Sequence, residues 1–90
     1  MTEATIVVHH QVGLHARPAS NFVKAAKTFE SAITLTNLSR DGAVADAKSL
    51  IQIFKAAVAQ GHEIRIAAEG RDESEAVATL VGMIESNFGE

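Results

Sequence analysis

Ninety residues, 47% apolar and 21% charged, suffice for one modest hydrophobic core and not for two, so a single domain over 1–90 is expected. The absence of cysteine excludes a disulfide framework, a thiol nucleophile and thiolate metal ligation. A net charge of −3 argues against nucleic acid as the main partner. The opening MTEATIVVHH has too short an apolar run for a signal peptide or membrane insertion, so a cytoplasmic protein is expected.

In chain order, ATIVVHH is β-branched and bounded by the Gly13 turn, which predicts a strand. From Ala16 to Lys27 the apolar residues Ala19, Phe22, Val23 and Ala26 recur at helical spacing, with Pro18 in the first turn where no N–H is needed. AITLTNL alternates as a half-buried strand, RDG reads as a turn, and AVADA as a short strand closing a hairpin. A second helical pattern opens at Ser49, which pairs with Gln52 as a capping box, and runs to Gln60 with Gly61 as its C-terminal cap. HEIRIAAEG is the fourth strand. Asp72 with Glu75 predicts the cap of a last helix whose buried stripe is Ala76, Val77, Leu80 and Ile84. The βαββαβα order predicts an α+β fold, a small antiparallel sheet with three helices on one face.

Charge is distributed unevenly along the chain. Ala4 to Phe29 contains no carboxylate but has Arg17, Lys24, Lys27 and three histidines, whereas Gly61 to Glu90 holds seven acids against two arginines. His15 therefore lies in a locally electropositive segment that favours an anion or an acidic partner. A helix beginning near Ala16 puts His15 just outside its N-terminus, where unpaired N–H groups and the helix dipole form an anion site. A ring nitrogen of neutral His15 can act as nucleophile, and Arg17 with the adjacent amides can hold phosphoryl oxygens. Gly13 permits a tight turn and the close approach of a partner. These features suit a reversible phosphohistidine better than a hydrolytic site. His9, His10 and His15 lack an accompanying carboxylate or cysteine, and alternation sends His9 and His10 to opposite faces, so no metal site and no cofactor are expected.

GLHARPAS followed by NFVKAAK, then AKSL, then AAEGRDESEAV, resembles the HPr family, the phosphocarriers of the bacterial phosphoenolpyruvate-dependent sugar phosphotransferase system. The resemblance runs in order through essentially the whole chain. It implies an open-faced β-sandwich, a histidine charged by enzyme I that passes its phosphoryl group to enzyme IIA proteins, and a monomer that presents one face to successive partners. His15 would carry the group on Nδ1, with Arg17 and the Ala16 and Arg17 amides around it. Ser49 falls at the family's regulatory phosphorylation position, the target of a serine kinase and phosphorylase in some relatives, although Gln52 stands where Gram-positive relatives commonly have glycine. The resemblance also implies a second helix shorter than the pattern to Gln60, and a β2–β3 connection, around 37–42, about three residues longer than usual.

On a helical wheel Leu50, Ile51, Ile53, Phe54, Ala57 and Val58 span about 160°, wider than the roughly 100° stripe a surface helix buries. Family resemblance makes Leu50, Ile51 and Phe54 the partner-binding candidates, with Ile53 buried and Lys24 and Lys27 as a basic rim. Two other readings are a regulatory relative serving a nitrogen or catabolite-control branch, and a small α/β interaction module with no covalent chemistry.

Overall fold

The computed structural model describes residues 1–9, 16–40 and 42–86, with Ala16 as backbone alone. Its elements are β1 (Thr2–Val7), α1 (Ala16–Lys27), β2 (Ala32–Asn37), β3 (Val44–Asp46), α2 (Leu50–Ala56), β4 (Glu63–Glu69) and α3 (Glu73–Glu85). This is the expected βαββαβα order. Among the described residues the strands form one antiparallel sheet in the order β1-β4-β2-β3.

Register explains how the sheet acquires its apolar face. Ala4 lies opposite Ile66, Ile66 opposite Leu35, and Leu35 opposite Ala45, so one row crosses all four strands. Side chains two residues away on the same strands, Ile33, Ile64 and Ala68, point to the same side and are buried with them. The helices cover this face: α3 packs on β4 and β1, α2 on β3 and β2, and α1 against α2 and α3. Phe22, Ile53 and Leu80, one from each helix, are completely buried in this common core. Truncating such a side chain to alanine costs about 2–5 kcal/mol.

The first strand differs from the sequence expectation, and the second helix ends before its apolar pattern does, as the family resemblance implies. The first strand runs from Thr2 to Val7, shifted toward the N-terminus relative to ATIVVHH, because its antiparallel partner β4 begins at Glu63, opposite Val7. Beyond that pair the ladder gives way to a turn: Val8 N–H donates to the His62 carbonyl at 2.9 Å, and Gly61 N–H donates to the Val8 carbonyl at 2.8 Å. The second helix stops at Ala56, and Ala57 adopts the left-handed conformation (φ 51°) with its N–H on the Phe54 carbonyl. Gly61 is thus a turn residue (φ 87°) and not the helix cap. Val58 is buried from the loop that follows, which is why the apolar pattern outruns the helix.

The Asp72 and Glu75 capping box also gives way to another arrangement. Asp72 occupies the N-cap position of α3 but makes no side-chain cap bond. Its carboxylate accepts instead from Glu30 N–H (2.9 Å), Ser31 N–H (3.0 Å) and the Ser31 hydroxyl, tying α3 to the start of β2. Gly70 makes the close approach possible: at φ 153°, an added Cβ would lie 2.7 Å from Ser31 Cα. Glu73 completes the junction, accepting from the Thr2 hydroxyl at 2.6 Å and Gly70 N–H at 3.3 Å, and lying 3.1 Å from the Met1 amine.

Candidate functional site

Helix α1 opens at Ala16, the residue after His15 in the chain. His15, His10 and Gly13 lie outside the described residues, as does Asp41 of the RDG turn. Pro18, Ala19, Phe22, Val23 and Ala26 are buried, whereas Arg17, Lys24 and Lys27 are exposed, so the amphipathic pattern fixes which way α1 faces. The first turn carries no acidic residue. Its unpaired N–H groups and the positive end of the dipole meet no carboxylate from the helix itself, which leaves this end suited to an anion.

Arg17 belongs to that end and the two lysines do not. Lys24 and Lys27 fall in the last turn of α1, roughly 10 and 15 Å along the axis from Arg17 at 1.5 Å per residue. There they complement the negative end of the helix dipole, a local role that needs no partner.

Ser49 is the N-cap of α2, in extended backbone, and its hydroxyl accepts from Gln52 N–H at 3.3 Å. Only half of the expected capping box forms. The Gln52 carboxamide oxygen reaches past Ser49 to accept from Asp46 N–H at 2.8 Å, while Ser49 N–H donates to the Asp46 carbonyl at 3.0 Å. Asp46 in turn accepts from Lys48 N–H at 2.9 Å. The hairpin end and the start of α2 are thus one hydrogen-bonded unit, with Ser49 half-buried at its edge.

On α2 the apolar arc divides as its width requires. Ile53 is fully buried, whereas Leu50, Ile51 and Phe54 are 38%, 68% and 45% exposed. Three large apolar side chains on two consecutive turns exceed the scattered exposure of an ordinary surface. Because α1 and α2 pack against each other, this patch and the N-terminal end of α1 belong to neighbouring helices. Lys55, exposed beside Phe54, was not singled out from the sequence; its position next to the apolar arc was the available signal.

Proton affinities shift away from these helices, at the α3 junction. The Ser31 hydroxyl, followed by Glu30 N–H, holds the Asp72 carboxyl below its ordinary value. The Thr2 hydroxyl, the Met1 amine and Gly70 N–H do the same for Glu73. No helix among the described residues is long and apolar enough to cross a membrane.

Comparison with known proteins places this geometry in a family. A family model described as the PTS HPr component phosphorylation site matches residues 2–86. The chain is 49% identical over 72 residues to the phosphocarrier protein HPr of Haemophilus influenzae, covering 80% of this chain and 81% of that one. It is 36% identical over 85 residues to the phosphocarrier protein NPr of Proteus mirabilis, covering 94% and 92%. The multiphosphoryl transfer protein of H. influenzae is 43% identical over 86 residues, 96% of this chain but 17% of that protein, so the chain spans about a sixth of that relative's length. Among solved structures, HPr from Thermoanaerobacter tengcongensis superposes with a TM-score of 0.92 at 44% identity, covering 100% of this chain and 98% of that one. With the order of elements, the sheet and nearly the whole length of the sequence in agreement, the chain belongs to the PTS-HPr family.

Proposed function

We propose that the protein is a phosphocarrier that takes a phosphoryl group onto His15 from phosphorylated enzyme I and hands it to enzyme IIA proteins of sugar transporters. The observation that carries this reading is that α1 opens at Ala16 with no acid in its first turn, within a chain of the PTS-HPr family. The His15 Nδ1 lone pair attacks phosphorus as the bond to the donor breaks and the donor keeps that bonding pair. The reverse exchange with an acceptor restores neutral histidine. Arg17 and the Ala16 and Arg17 amides hold the phosphoryl oxygens, so the charge carried in transit meets donors already in position.

Leu50, Ile51 and Phe54 form the apolar centre of the docking surface, and Lys24 and Lys27 its more distant basic flank. Phosphorylation of Ser49 adds a dianion at the edge of that patch, which weakens association with an acidic partner without unfolding α2. The sugar branch is favoured over a nitrogen-related one by the higher identity to HPr than to NPr.

The test is transfer through the protein. With phosphoenolpyruvate, enzyme I and a sugar-specific enzyme IIA present, the IIA should become phosphorylated only when this chain is added. Labelling of a nitrogen-branch acceptor alone would move the protein to the other branch.

A further inference from the structure

The β2–β3 hairpin and α2 enclose a hollow of about 370 Å³, a size that small organic ligands occupy. Its polar lining is Arg40 and Lys55, with the carboxamides of Asn37 and Gln52, against an apolar wall that includes Val44 and Ala56. Among the described residues, no carboxylate lines it. A neighbouring hollow of about 580 Å³, between β2, β3 and the residues before α2, differs in that Glu30 and Asp46 stand beside Lys48. Of these two hollows, the first is the one whose polar lining, among the described residues, is cationic and amide alone.

Its frame is built from hydrogen bonds the phosphocarrier reading does not use. Asn37, buried at the end of β2, donates from Nδ2 to the Ala56 carbonyl at 2.9 Å, joining the hairpin to the end of α2. The same Nδ2 lies 3.0 Å from His62 Nδ1. Asn37 Oδ1 accepts from Ser39 N–H at 3.1 Å, and the Ser39 hydroxyl accepts from Glu63 N–H at 2.8 Å. Arg40 N–H donates to the Asn37 carbonyl at 3.3 Å. The backbone beneath Arg40 is therefore pinned to β4 and α2. Gln52 Oε1 is engaged by Asp46 N–H, so what Gln52 offers a ligand is its NH2 group.

A guanidinium fork and an ammonium, with no carboxylate lining the hollow among the described residues, call for an anion, and the Gln52 NH2 group adds a neutral polar contact. Inorganic phosphate would leave most of the hollow empty. We infer that this hollow binds a small phosphate monoester, its phosphate between Arg40 and Lys55 and its organic part against Val44, Ala56 and the Gln52 amide.

Amide spectra of the 15N-labelled full chain, titrated with glycerol 3-phosphate and glucose 6-phosphate, test this. Inorganic phosphate and sodium chloride at matched ionic strength serve as comparisons. Saturable shifts should centre on Arg40, Val44, Gln52 and Lys55, and affinity should fall at least about tenfold in the R40Q/K55Q double variant. Both residues are exposed, so the double variant should keep its folded spectrum. No saturable shift with either monoester, shifts that persist in the double variant, or equal shifts with inorganic phosphate would each overturn the assignment.

Discussion

Arg17 stands one residue inside α1 with its side chain exposed, whereas the lysines at the other end of the helix have the dipole to explain them. That difference makes Arg17→Glu an informative substitution. It should slow phosphoryl transfer by about tenfold or more, the loss of one charge-assisted contact, with Tm unchanged; transfer kinetics equal to wild type would reduce Arg17 to a surface charge. Asp72 tests a structural role at the same scale. Its carboxyl is lowered from 3.8 by Ser31 and Glu30, and that of Glu73 from 4.5 by Thr2 and the Met1 amine. A depressed folded-state pKa contributes stability that is complete above the unfolded value and disappears as pH falls through the folded one. Asp72→Asn should therefore lower Tm at neutral pH and flatten the loss of stability below pH 3.8. Thermal scans at neutral pH and near pH 3 check both, and an unchanged acid slope would contradict the junction's role.

At the scale of elements, α2 is where sequence and structure part most clearly. Its end at Ala57 rests on a non-glycine residue at φ 51°, a conformation costing an L-residue about 1–2 kcal/mol. Ala57→Gly should raise stability by about 0.5–1 kcal/mol, read from urea denaturation, and a decrease would argue that the helix continues. No local signal marks this stop, because alanine favours helix and Val58 continues the apolar spacing while packing from a loop; the shorter helix was anticipated by the family resemblance alone. The termini of α1 and the stripe of α3 were legible since periodicity and burial coincide there: Phe22, Ala76, Leu80 and Ile84 are all buried as their spacing requires. The Asp72 contacts were not legible, because a carboxylate 41 residues from Ser31 gives no local sign that it will bond across the chain and not to its own helix. Adjacent residues of α2 make a further contrast. Ile53→Ala should cost about 2–5 kcal/mol, whereas Phe54→Ala should weaken enzyme I binding more than it lowers stability. The reverse order in paired calorimetry and denaturation would place Phe54 in the core.

For the molecule as a whole, the element order could be read from the sequence, but the strand order could not. That β4 lies between β1 and β2 follows from which apolar rows align, Ile66 between Ala4 and Leu35, and pairing partners leave no periodic trace in a single sequence. The consequence is functional: all three helices share one face of the sheet, so the start of α1 and the exposed arc of α2 are carried by helices that touch. A carrier serving a donor and an acceptor in turn needs its reactive group beside one reusable surface, and this packing supplies a candidate. Intact-mass analysis after incubation with phosphoenolpyruvate and enzyme I, comparing the wild type with His15→Ala, tests that idea most directly. One acid-labile phosphoryl group on the wild type and none on the folded variant is the expected result; an equal phosphoryl load on His15→Ala, or none on either protein with an active enzyme I from the same source, would contradict it.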